Sequence, residues 1–201
     1  MREILRFKPN RCAVINVPKR GGPNAPKTPQ TTINDILVDQ CRLGRRVVRL
    51  KGGDPLIFAR VWPEMQALRG AGCAFELVPG ITSALAAPCA VGIPLTEKEL
   101  GTSLTIVSGH AGLAGEDFGA LAQSDTLVVL MGTRKLRVIC EGLVGGGAPG
   151  NRPVAIVHSC YRPEQRLLLG QLDSIADMAE GQSLSPAIIV IGNVAAFAQE
   201  C

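Results

Sequence analysis

Short apolar runs that end in glycine- or proline-bearing turns, each followed by residues at helical spacing, constrain this chain more than any other feature. The clearest case is VVRLKGGDPLIFAR, residues 47–60. Residues 47–50 read as a buried strand, two glycines and an aspartate turn the chain, and an apolar run follows. CAVINV (12–17) and CAFELV (73–78) read as strands of the same kind. Between them, residues 30–43 carry Ile33, Ile36, Leu37 and Cys41 on one helical face, with Gly44 as the stop. Residues 62–68 read as a second helix with Pro63 in its first turn. PGITSALAAP opens a third, capped by Thr82. Such alternation predicts parallel βαβ units.

GIPLTEKELG breaks the rhythm, so a linker is expected at 92–100, between an α/β domain at 1–91 and another at 101–201. In the second half SLTIVSG, TLVVLM, PVAIVHS, QRLLLGQL and PAIIVIG predict five strands, with helices near 135–143 and 175–179. GGGAPG, residues 145–150, reads as a flexible surface loop.

Composition narrows the function. The 201 residues are 46% hydrophobic and 19% charged, as in an ordinary globular protein with a core. Aromatic residues, at 3%, are too few for a nucleic-acid surface built on base stacking. The net charge of +4 is mild, compatible with an anionic small substrate or with no particular partner. Seven widely spaced cysteines, no CxxC and only two histidines argue against a structural zinc site and for a reducing compartment. No apolar run is long enough to cross a membrane, and MREILRFKPN lacks the apolar core of a secretory signal.

The junctions are the candidate sites. Gly52 and Gly53 bare the backbone at the carboxyl end of a predicted strand, where open α/β sheets bind ligands. Asp54 is either an acceptor for an amine or ribose hydroxyl, or a helix cap. The spacing matches neither a Walker loop nor GxGxxG. The small residues of VPGITSALAAP allow either close approach of a ligand or tight helix packing. Met131 in LMG is either core or a ligand contact. Three such junctions over two α/β halves suggest a cleft between the halves.

Taken together, VVRLKGGDPLIFAR, VPGITSALAAPCAVGIPLT, SLTIVSGH, TLVVLMG, PVAIVHSCYRPEQR and PAIIVIGNV resemble, in colinear order, the uroporphyrinogen-III C-methyltransferases of the tetrapyrrole methylase family. The resemblance implies a two-domain α/β fold, with an incomplete N-terminal parallel-sheet domain, a C-terminal mixed-sheet domain and S-adenosylmethionine in the cleft. It also implies a homodimer in the cytoplasm, or in the plastid stroma of a photosynthetic source. The reaction implied is methylation of two pyrrole carbons of uroporphyrinogen III to give precorrin-2, for siroheme or cobalamin. By resemblance, Gly52, Gly53, Asp54 and Ile57 hold the cofactor, together with Thr82, Ser83, Met131 and the main chain at Cys160. VPKRGG resembles VGKRAG, which makes Lys19 a proton donor. Arg20, Arg60 and Lys98 are candidate partners for the substrate's eight carboxylates.

The sequence departs from the family pattern in three places. Members open with a strand, a GAGPGDP loop, a helix and a second strand, whereas these residues start inside the next helix at EILRFKPN. The cofactor-contacting proline and the aspartate assigned as proton acceptor are therefore expected outside them. FGRGGEE becomes FARVWPE, placing Ala59, Val61 and Trp62 where glycines are usual, and THR becomes TEK at 96–98. The alternative expectation is a family member that binds cofactor or a partner without turnover.

Overall fold

The computed structural model describes residues 4–18, 27–111, 113 and 116–199. The chain divides into two compact units, Met1–Gly80 and Ile81–Cys201.

In the first unit, helix α1 (Gln30–Arg42) buries Ile33 and Leu37 against helix α2 (Val61–Gly70). Both residues lie on the face predicted from their spacing. The expected strands at 12–17, 47–50 and 73–78 do not form: among the described residues of this unit no segment pairs in a sheet. Their apolar side chains explain the difference. Val48 is 81% exposed and Val78 72%, so no covering layer stabilises a ladder through them. Of these segments, 47–50 is tied to α2 through the Arg49–Glu64 ion pair.

The second unit follows the predicted pattern closely. Helix α3 (Ser83–Cys89) starts at Thr82, whose Oγ1 accepts from the backbone N–H of Ala84 at 3.3 Å. Strands β1 (Leu104–Ser108), β2 (Thr126–Leu130), β3 (Pro153–His158), β4 (Arg166–Gln171) and β5 (Ala187–Ile191) form one mixed sheet in the order β1-β2-β5-β3-β4. β1 and β2 are parallel, and the other neighbours are antiparallel. Alternation then sorts the core by face. Leu127, Val129, Val154, Ile156, Ile189 and Ile191 face one cluster, which helices α4 (Phe118–Ala122), α5 (Leu136–Gly145) and α6 (Ile175–Met178) complete. Val128, Leu130, Ala155, Val157, Ile188 and Val190 face the other, covered by Ala84 and Ala87 of α3. Each fully buried Ile or Val contributes about 1.5–3 kcal/mol.

Two readings of this half need correction. α4 carries too little periodicity in five residues to stand out in the sequence, and its signal is Asp117, which accepts from the N–H groups of Gly119 and Ala120. GGGAPG is not a loose loop. A Cβ on Gly146 would lie 2.5 Å from the Phe118 carbonyl oxygen, and Ala148 is buried, so small residues here let α4 and α5 approach.

Candidate functional site

The turn after residue 50 is built from both glycines and two ionic anchors. Gly53 takes a φ of +88°, which glycine adopts without a steric penalty. A Cβ on Gly52 would meet nothing within 4 Å, so the backbone there faces open space. Asp54 neither caps a helix nor stands free. Its Oδ1 accepts from the Leu56 N–H at 2.8 Å, an Asx turn, and its Oδ2 accepts from the Gly80 N–H at 3.0 Å. The Gly80 amide first, then the Leu56 amide, hold its carboxyl below the usual value. Gly80 was not legible as a site residue. A Cβ there would lie 2.7 Å from the Gly53 carbonyl oxygen, so glycine is what lets the two segments touch.

The rest of the loop is strained. Phe58 and Arg60 have φ of +50° and +53°, a region that costs a non-glycine residue about 1–3 kcal/mol. Lys51 Nζ donates to the Ala59 carbonyl between them at 2.9 Å and pairs with Glu64 Oε2 at 2.8 Å. Glu64, on α2, is 2% exposed. Its Oε1 takes Arg49 Nη2 at 3.4 Å and Gln30 Nε2 at 3.3 Å. The sequence reading missed Lys51 and Glu64, because a charged pair thirteen positions apart has no local signature.

Ile57 lies beside the turn and is 38% exposed. Of the unusual FARVWPE residues, Val61 is buried. Trp62 stays open and lines an apolar cavity of about 380 Å³ with Leu56, Phe58, Ala59, Arg60 and Met65. The Arg69 guanidinium sits 5.8 Å from the Trp62 ring centre.

In the second unit Met131 and Cys160 follow the carboxyl ends of strands, whereas Lys98 precedes the amino end of β1. β5 is antiparallel to both β2 and β3, so the carboxyl ends of β1, β2 and β3 share an edge. Met131 leaves β2 there, exposed, with a φ of +58°; Ser159 and Tyr161 turn sharply beyond β3 with φ of +50° and +59°. Cys160 packs on the cluster that includes Leu130 and Ala84. Burial raises its thiol pKa, so it stays neutral near pH 7. Donation of the Tyr161 hydroxyl to Cys89, at the end of α3, raises the pKa of that hydroxyl. Thr82 is buried at its cap, Ser83 opens the helix in solvent, and Lys98 is exposed in the turn closed by the Glu97–Gly101 bridge. Lys19 and Arg20 lie outside the described residues. Among the described residues no cluster of three or more His, Cys, Asp or Glu is placed to hold a metal, and no helix is long and apolar enough to cross a membrane.

The model of the family Tetrapyrrole (Corrin/Porphyrin) Methylases matches residues 2–176. The chain belongs to that family. It is 42% identical over 191 residues to a uroporphyrinogen-III C-methyltransferase of Synechococcus elongatus, covering 95% of this chain and 77% of that protein. It is 41% identical over 199 residues to a siroheme synthase of Tolumonas auensis, covering 98% of this chain but only 42% of that longer protein. Among solved structures, uroporphyrin-III C-methyl transferase from Thermus thermophilus, complexed with S-adenyl homocysteine, superposes with a TM-score of 0.72 at 34% identity. That match covers 82% of this chain and 74% of the other. The mixed α/β architecture is therefore the fold that the sequence resemblance implies.

Proposed function

We propose that this chain is an S-adenosylmethionine-dependent methyltransferase that acts on uroporphyrinogen III and yields precorrin-2 for siroheme or cobalamin. The observation that carries the reading is the open backbone at Gly52, beside exposed Gly53 and uncovered Ile57, in a chain similar to proteins of that activity. Such a cradle suits a nucleoside bearing a charged sulfur. When bound, S-adenosylmethionine supplies a methyl group already activated on a sulfonium. Gly52, Gly53, Asp54 and Ile57 bind it in this reading, with Thr82, Ser83, Met131 and the main chain at Cys160 as further contacts. Asp54 acts chiefly by shaping the turn, because both of its oxygens accept from backbone amides. Lys19 donates a proton, and Arg20, Arg60 and Lys98 pair with substrate carboxylates. Positioning the electron-rich carbon is the main task left to the protein. By resemblance it acts as a homodimer, in the cytoplasm or in the plastid stroma of a photosynthetic source, with 92–100 linking its domains.

Incubating the chain with uroporphyrinogen III and methyl-labelled S-adenosylmethionine tests the reading, with label expected in precorrin-2. Lys19→Ala is expected to cut turnover by roughly 10²–10⁴ while leaving affinity for S-adenosylhomocysteine unchanged. A second reading, cofactor binding without turnover, is favoured by one observation: no strand pairs among the described residues of the first unit. Binding by calorimetry without label transfer would select it.

A further inference from the structure

We propose that Lys51, acting with Glu64, is a positioning residue that holds the Gly52–Arg60 loop in its cofactor-binding shape; this rests on the reading that the loop binds S-adenosylmethionine. Lys51 directly precedes Gly52, so its backbone fixes the start of the loop. Its ammonium reaches past the turn to the loop's far end and donates to the Ala59 carbonyl at 2.9 Å. That carbonyl sits between the two left-handed residues, Phe58 and Arg60. Backbone in this region persists only where its surroundings over-determine it. The ammonium is itself fixed, because Glu64 takes it at 2.8 Å, with side-chain exposures of 9% and 3%.

The carboxylate is in turn anchored on three elements. It is carried by the first turn of α2, its other oxygen takes Arg49 from the segment before the loop, and Gln30 at the start of α1 donates to the same atom. A lysine has three donors and no acceptor, so one side chain serves both the carbonyl and the carboxylate. Together with Asp54, which ties the loop to Gly80, this leaves both ends of the glycine turn pinned while its face stays open. The loop is thus set before any ligand arrives, which removes an ordering cost from binding.

The test compares calorimetric titrations of S-adenosylhomocysteine into the full chain and its variants, together with hydrogen exchange of the ligand-free proteins. Lys51→Met leaves Glu64 short of a partner and can unfold the unit. The double variant Lys51→Met/Glu64→Gln removes the buried pair while keeping its volume, and is the decisive protein. The expected result is faster exchange at residues 52–60, unchanged exchange in β2, β3 and β5, and affinity about tenfold weaker, as follows if the competent loop falls to about a tenth of the population. Lys51→Arg, which keeps a cation with several donors, is expected to recover most of the affinity. A purely structural pair would lower the melting temperature and leave the affinity of the folded protein alone, and that result overturns the proposal. If the unmodified chain fails to bind S-adenosylhomocysteine, the cofactor reading falls with it. If it binds and the double variant binds equally, only the role of Lys51 is lost.

Discussion

The two units make opposite use of the same sequence signal. In the second, each short apolar run became a strand, because helices cover both faces of the sheet and its central strands β2, β3 and β5 are buried almost throughout. In the first, runs of similar composition stay uncovered, and hydrogen-bonded carboxylates organise the chain instead. An apolar run followed by a glycine turn therefore marks a junction dependably, and pairs as a strand where a buried sheet lies beside it, as even half-exposed β4 does.

Substitutions can break or sharpen this contrast. The largest effect is expected in the second unit's core, where Ile156→Ala should cost about 2–5 kcal/mol in denaturant unfolding. Val48→Ala, at an exposed position of the first unit, should stay within about 0.5 kcal/mol. Comparable losses at the two positions would erase the distinction. Next comes Gly80→Ala. Its Cβ would press on the Gly53 carbonyl, which is backbone and yields little, so about 1–3 kcal/mol of strain is expected with weaker binding of S-adenosylhomocysteine. Asp54→Ala should weaken that binding several-fold by freeing the Gly80 and Leu56 amides, with little change in the second unit's exchange rates.

The smallest effect is a pH dependence. Asp54 has a folded pKa below its ordinary 3.8, so its contribution is fully present above that value and is lost as pH falls through the lower folded pKa. The slope of stability against pH should therefore differ between the native chain and Asp54→Asn only below about pH 4, where the native carboxylate's contribution is lost as pH falls. Asp125 shares the direction, through the Ser103 hydroxyl and the Ser103 and Thr102 amides that it accepts from, so it sets a background common to both proteins.

Much of this was legible in the sequence. Thr82 as a cap, Ile33 and Leu37 as the buried face of α1, and all five strands of the second unit followed from period and turn chemistry. The glycine turn was visible as a junction, but the partners that shape it were not. Gly80 meets Gly53, and Glu64 meets Lys51, only once the chain has folded back on itself, and no local spacing encodes either meeting. The strands expected at 12–17, 47–50 and 73–78 failed for a related reason: hydrophobicity gives the capacity to be buried, while cover must come from elsewhere in the fold.

The claim on which the rest stands is that a sulfonium-bearing nucleoside binds at the Gly52–Gly53 turn. Hydrogen exchange of the full chain, with and without saturating S-adenosylhomocysteine, addresses it directly. Protection is expected at the amides of residues 52–57 and around Thr82, Met131 and Cys160. Protection confined to other segments, or none at saturation, would contradict it.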